Sequence, residues 1–279
     1  MILNYKKIVT IVSIALSTVA CNTKTNENIE DNGVEDSVEA TTKLDSQKIS
    51  AQNVFNALPK RDNVLDIIKK SNAEYDAAIL NNPDNLKSYT TENAEALNLG
   101  VYGADLNVTT IYEQTQESIL FLSCVNLLSK KLGVSTAFDE KMMTRMDAHR
   151  DNRDSTMSIV SQSFKKCDEF LTASSRVGTS SLIVAGSWIE GMYIACATAK
   201  ITKSEDAVKT IFKQKESLKY LIELLQAAKA NEKVDYLIPD LKAIEVICNA
   251  KKDETYNLAS LKDLDAAVTI VREKITSIN

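Results

Sequence analysis

One carboxylate of this sequence stands where a charge is least expected. In the run of residues 181–199, Glu190 is the only charged residue. An ionised carboxylate buried in an apolar helix is costly unless a cation or hydrogen-bond donors compensate for its lost hydration. We therefore predict that Glu190 is protonated, ion-paired or open to a polar cavity, with an ion pair favoured over a ligand-binding role. The candidate cationic partners are Arg145, Arg150, Arg153 and Arg176.

Two aromatic residues lie close to Glu190 in the chain. At helical spacing Gly186, Glu190 and Tyr193 share one face, so Tyr193 is a candidate member of the same polar group. Trp188 is the only tryptophan of the sequence. We interpret Trp188 first as a core anchor, and second as part of a ligand site.

A second unusual segment covers residues 98–106 and contains Gly100 and Gly103. Each glycine lowers helix propensity by about 1 kcal/mol relative to alanine, so both are predicted to permit close approach of another helix or a ligand. One stripe of this helix is polar and aromatic, and consists of Asn98, Tyr102, Asp105, Thr109 and Tyr112. Tight helix packing is favoured over a binding surface, and Tyr102 and Asp105 are the candidate site residues.

The densest charged stretch, residues 147–154, includes His149, the only histidine of the chain. We interpret the stretch as a solvated helix junction in which Asp151 or Asp154 caps the next helix. Metal binding through His149 and the aspartates is a much weaker alternative, because a lone histidine provides no ligand spacing.

The established catalytic templates are missing from the sequence. It contains no glycine-rich phosphate loop, no nucleophile elbow, no paired-cysteine motif and no His-Glu metalloprotease motif. A net charge of -5 argues against a nucleic-acid partner. No cofactor and no catalytic residue are expected, and the enzyme class is disfavoured. Four cysteines, Cys124, Cys167, Cys196 and Cys248, are interpreted as buried apolar residues, with two disulfides as the alternative.

The amino terminus has the pattern of a lipoprotein signal. Lys6 and Lys7 precede the uncharged run 8–20, which is too short to span a bilayer and is typical of a secretory signal. Thr18, Val19 and Ala20 then precede Cys21 as in a lipobox, except that the usual leucine is replaced by Thr18. We predict that residues 1–20 are removed and that Cys21 is lipidated. The alternative is an ordinary secreted protein.

Residues 21–50 comprise the lipidated cysteine and a polar tether rich in Asn, Thr, Glu, Asp and Ser. A flexible coil of this length reaches about 30 Å on average. Asn22 stands where aspartate would favour retention in the inner membrane, so by analogy with other diderm lipoproteins we expect the outer membrane and its periplasmic face.

Residues 51–279 are predicted to form a single all-α domain, because apolar residues recur at intervals of three and four and glycine and proline are scarce. A helical bundle is favoured over a short α-solenoid. The helices are expected at 51–58, 61–81, 91–131 with a break near 114–116, 139–173 with a break at 151–152, 179–200, 203–230 opened by Thr202, 233–251, and from Ser260 onward.

The segments around Gly100 and Glu190, together with residues 135–139, resemble a pattern of uncharacterised helical lipoproteins of Bacteroidota-type bacteria. This resemblance implies an anchored all-α envelope protein and brings no known activity. We therefore expect a lipid-anchored binding or scaffold domain, whose partner is an envelope protein or a small ligand. The alternative function is a helical enzyme or sensor with a polar cavity around Glu190, Tyr102 and Asp105.

Overall fold

The computed structural model describes residues 67, 68, 70, 73–150, 152–228, 235–250 and 256–277. Within these ranges the chain forms a packed bundle of α-helices without β-strands, which confirms the all-α bundle prediction. The helices are α1 (Glu92–Ile111), α2 (Thr115–Lys131), α3 (Glu140–Ala148), α4 (Arg153–Ala173), α5 (Val177–Thr202), α6 (Glu205–Phe212), α7 (Lys215–Ala228), α8 (Ile238–Asn249) and α9 (Leu258–Thr276). The predicted signal, tether and helix at 51–58 lie outside the described residues.

Helix α5 lies at the centre of the bundle, where its residues are buried on nearly all sides. Such a helix must be apolar or small around its whole circumference, and the run 181–199 meets that requirement. Of the described helices, α5 alone is long and apolar enough to cross a membrane, but 83% of its most apolar window is buried inside the domain. It therefore has the position of a core helix.

Helices α1 and α5 touch along their backbones. A Cβ atom on Gly100 would overlap the carbonyl oxygen of Ile183, and one on Gly186 would overlap the carbonyl oxygen of Leu97. The close helix approach predicted at Gly100 is therefore confirmed, and Gly186 is its counterpart on α5.

Several predicted helix ends agree with the structure. The side chain of Thr91 caps α1, and the predicted break before α2 lies at Tyr112–Gln114, where Glu113 has a φ of 57°. The α3–α4 break is also confirmed, but Asn152 is the residue that caps α4, through a 2.9 Å bond from the Ser155 N–H, and not Asp151 or Asp154.

Two predicted caps are wrong by a few residues. The predicted helix 203–230 is divided into α6 and α7. Ser204 rather than Thr202 caps α6, because Thr202 is still the last residue of α5, which ends where Lys203 adopts a left-handed conformation. Asn257 caps α9, while Ser260 is the third residue of that helix and completes the capping box from inside.

The segment before α1 differs most from the prediction. A helix expected to reach residue 81 is absent from residue 73 onward, where the chain forms 3-10 turns at Ala77–Ile79 and Pro83–Ser88 with extended residues between them. We call residues 73–90 the strap. Side chains of the bundle bond several of its backbone groups and so provide an alternative to helical hydrogen bonds.

Candidate functional site

Glu190 is fully buried and paired with an arginine of the last helix. Arg272 donates from Nε to Oε2 and from its terminal Nη2 to Oε1, each over 2.9 Å. This two-bond geometry is the strongest form of arginine–carboxylate pair. The predicted ion pair is therefore present, and it joins α5 to α9.

The predicted partners of Glu190 were wrong. Arg145 bonds Gln162, Arg150 and Arg153 approach Asp147 and Asp154, and Arg176 bonds Glu92 and the Leu132 carbonyl. All four arginines precede α5 or open it, whereas the true partner follows Glu190 by 82 residues. The available signal was the position of Arg272 at the edge of the apolar stripe formed by Val268, Val271 and Ile275.

Asp105 of α1 is the second buried carboxyl group of this site. Its Oδ2 accepts the backbone N–H of Asn81 over 3.2 Å, whereas its Oδ1 is buried without a hydrogen-bond partner. Burial and then the negative charge of Glu190 raise the pKa of Asp105 well above its usual value. Burial raises the pKa of Glu190 too, but the hydrogen bonds from Arg272 oppose that rise. Of the two carboxyl groups, Asp105 is therefore the one whose protonated form is favoured, while Glu190 is paired with Arg272.

Three groups of the bundle hold the strap backbone at residues 79–82. Besides the Asp105 bond to Asn81, the Tyr102 hydroxyl donates to the Asn82 carbonyl over 2.9 Å, and Arg272 donates to the Ile79 carbonyl over 3.3 Å. These bonds explain why the chain leaves the 3-10 turn at Ile79 and is extended at residues 80–82 rather than helical.

The network continues to the carboxyl end of α9. Asn98 donates to the Ile275 carbonyl over 2.8 Å, and the Tyr89 hydroxyl donates to the Thr276 carbonyl over 3.2 Å. The Asn81 side chain donates to the Tyr89 hydroxyl over 3.1 Å and so joins the two parts. Helix-end carbonyls, which have no partner within their own helix, are thereby satisfied.

The predicted polar cluster is assembled only in part. Tyr102, Asp105, Glu190 and Tyr193 converge, and Tyr193 contributes its ring, whose centroid lies 4.3 Å from the guanidinium carbon of Arg272. Trp188 takes no part in it, since its indole N–H donates to Ser217 of α7 over 3.0 Å. Sequence reasoning missed Arg272, Asn81 and Tyr89. We use the name buried cluster for Asn81, Tyr102, Asp105, Glu190, Tyr193 and Arg272.

The buried cluster has the properties of a structural element. Asn81, Tyr102, Asp105 and Glu190 are all at most 3% exposed, and Arg272, the most accessible charged member, has a side chain only 14% exposed. A substrate would have to displace several mutually bonded groups to reach either carboxyl group. In the described part of the chain no three His, Cys, Asp or Glu residues are grouped closely enough to hold a metal ion, and His149 is an exposed helix cap.

An open cleft lies elsewhere, among the first four helices. Its volume is about 440 Å³, and we refer to it as the cleft. Its lining comes from α1, α2, α3, α4 and the two junctions between them, and consists of Thr110, Glu113, Thr115, Ser118, Ile119, Leu122, Met143, Met146, Asp147, Arg150, Arg153 and Thr156. The charged stretch interpreted as a solvated junction thus also forms one wall of a cavity.

The four cysteines of the bundle are buried free thiols. Burial raises the pKa of Cys124 to about 11 and those of Cys167 and Cys248 to about 12. A thiol with such a pKa is almost entirely protonated near neutral pH and is a poor nucleophile. The interpretation as buried apolar residues therefore fits the structure better than two disulfides.

No family model matches this sequence, and searches of curated proteins and of solved structures found no significant similarity.

Proposed function

We propose that this chain is a lipid-anchored protein of the cell envelope whose helical bundle binds a small ligand and performs no chemistry. Cys21 directly follows a signal-like run, which supports the anchor. Asn22, in the place of a retention aspartate, supports an outer-membrane address facing the periplasm. The polar tether would let the bundle stand away from the lipid surface.

The observation that carries the binding proposal is the cleft. A volume of about 440 Å³ lies within the range of small-molecule sites, which are concave and mostly apolar with a few polar groups. A concave cleft of this size suits a small ligand better than the broad surface of a protein partner. The buried cluster, by contrast, is filled by its own side chains, so we assign Tyr102, Asp105, Glu190, Tyr193 and Trp188 to the scaffold rather than to a ligand site.

Mass spectrometry of the mature amino terminus tests the anchor. We expect a protein that begins at Cys21 and carries a thioether-linked diacylglycerol, and that enters the detergent phase on phase separation. The Cys21→Ser variant should leave that phase. A mature chain that begins after Cys21, or an unmodified Cys21 thiol, would contradict the anchor without affecting the binding proposal.

Retained compounds test the binding function. The full-length lipoprotein is purified from envelopes in a non-ionic detergent, denatured and extracted, and the extract is analysed by mass spectrometry. Thr115→Trp fills the cleft from an exposed position, and Thr144→Trp is the matched control on an exposed site of α3 outside the cleft. A compound retained by the wild type and Thr144→Trp but lost from Thr115→Trp supports the proposal. Equal retention by all three proteins, or no retained compound, contradicts it.

A further inference from the structure

We propose that the cleft accepts a small amphiphile with one anionic group, a carboxylate or a phosphate, attached to an apolar body. This inference rests on the proposed function, since it assumes that the cleft is a binding site. It goes further by specifying the chemistry of the ligand from the side chains that line the cavity.

Apolar side chains form one part of the lining. Leu122 and Met146 are buried beneath the cavity, while Met143 is partly exposed and Ile119 leaves 57% of its surface exposed. An apolar ligand body would remove this exposed surface from water, which is favourable in proportion to the area buried. Methionine side chains are flexible and polarisable, so they adapt to ligands of irregular shape.

Two guanidinium groups form the cationic part of the lining. Arg150 approaches Asp147, and Arg153 approaches Asp154, at 3.7 Å in both pairs, which is longer than a hydrogen bond. The Arg153 side chain is only 38% exposed, and its Nε, the atom that lies 3.7 Å from Asp154 Oδ1, is buried without a hydrogen bond. A partly desolvated cation of this kind gains from an added anion, and the arginine fork matches carboxylate and phosphate oxygens.

Three of the four hydroxyl groups of the lining are already engaged, and the fourth belongs to Thr115, at the exposed start of α2. Thr110 donates to the Leu106 carbonyl over 2.7 Å, Ser118 to the Thr109 hydroxyl over 3.0 Å and Thr156 to the His149 carbonyl over 3.0 Å. The guanidinium groups are therefore the main donors left for a ligand.

Two acidic residues, Glu113 and Asp147, balance the formal charge of the two arginines in the lining. Both are exposed, and the side chain of Asp147 retains 80% of its accessible surface. Solvent weakens the repulsion that such carboxylates exert on a bound anion. A ligand with an ammonium group would instead pair with these acids, so a cationic probe provides the decisive comparison.

The test uses four probes with the same six-carbon body: hexanoate, hexyl phosphate, hexanol and hexylamine. Each is titrated into the full-length lipoprotein in non-ionic detergent, with ¹³C-labelled methionine methyl groups followed by NMR. Met143 and Met146 report on the cleft, and Met192, buried in α5, reports on the integrity of the fold. We expect one or both anionic probes to shift the Met143 and Met146 signals at concentrations at least tenfold below those needed with hexanol or hexylamine. Tighter binding of hexanoate would indicate that the ligand has a carboxylate, and tighter binding of hexyl phosphate that it has a phosphate.

Arginine variants complete the test. Arg150→Gln and Arg153→Gln should each weaken the anionic probe by about tenfold, the typical effect of losing a charge-assisted hydrogen bond. Arg145→Gln, outside the cleft, is the matched control and should leave binding unchanged. Tighter binding of hexylamine, equal binding of hexanol, or no response from any probe would overturn the anionic assignment. The retained-compound experiment would then decide separately whether the cleft binds a ligand at all.

Discussion

Arg272 of α9 and Glu190 of α5 form a buried pair with two parallel hydrogen bonds of 2.9 Å. The same guanidinium group lies over the ring of Tyr193 and bonds the Ile79 carbonyl of the strap. One side chain from the last helix thus links the central helix to the segment that precedes α1. The stability of the domain should therefore depend strongly on Arg272.

Replacement of Arg272 by methionine should lower the free energy of unfolding by about 3 kcal/mol at neutral pH, because it leaves Glu190 buried without a cation. Part of the loss should be recovered on acidification, since a protonated Glu190 needs no partner. Chemical denaturation followed by circular dichroism at several pH values measures both effects. Lys274→Met is the control, because the exposed pair of Lys274 with Asp240 should contribute at most about 1 kcal/mol. Equal losses in the two variants would contradict the structural role of Arg272.

Asp105→Asn should preserve or increase stability at neutral pH. The folded protein keeps the Asp105 proton because its pKa is raised, whereas the unfolded chain releases it above its ordinary pKa of about 4. The free energy of unfolding of the wild type consequently falls as pH rises above that value. That of Asp105→Asn does not, because the amide mimics the protonated acid and does not titrate. We expect the advantage of Asp105→Asn to grow by about 1 kcal/mol or more between pH 4 and pH 7.

Asp105→Leu provides the comparison for this prediction, because leucine cannot accept the hydrogen bond that Asp105 accepts. It should destabilise the protein at every pH by leaving the buried Asn81 N–H without its acceptor. If Asp105→Asn were as damaging as Asp105→Leu, the ionised form of Asp105 would be the native one and our assignment of the proton would be wrong.

The backbone contact between α1 and α5 predicts a large effect for small substitutions. Gly100→Ala and Gly186→Ala should each cost about 3 kcal/mol, because the new methyl group overlaps backbone that cannot move independently of its helix. Gly133→Ala is the control. No atom lies within 4 Å of a Cβ placed there, so its φ of 71° alone should cost about 1 kcal/mol. Similar losses in all three variants, measured by chemical denaturation, would mean that the helices can separate.

The four thiols of the bundle should be inert in the folded protein and reactive after unfolding. At pH 8 and without reductant, an alkylating reagent should modify none of Cys124, Cys167, Cys196 and Cys248 in the native state, because burial raises their pKa and blocks access. All four should react in denaturant. Mass spectrometry counts the added groups, and fewer than four after unfolding would reveal a disulfide.

The sequence by itself determined the helical class and most of the helix boundaries of the described chain. Apolar spacing and the scarcity of glycine and proline are local signals, and local backbone preferences do not depend on distant residues. It also identified Glu190 as unusual, because a carboxyl group in an apolar run is visible without knowledge of its neighbours, and Asp105, because it belongs to a polar stripe beside two helical glycines.

Only the tertiary structure decided what those carboxyl groups contact. Arg272 meets Glu190 across 82 residues, and the strap is extended between its two 3-10 turns because Asp105, Tyr102 and Arg272 bond its backbone there in place of a helical ladder. The cleft likewise arises where four helices meet, so its lining has no signature in any one segment. Pairing and cavity shape depend on helices that are distant in sequence, and periodicity reports only which face of each helix is buried.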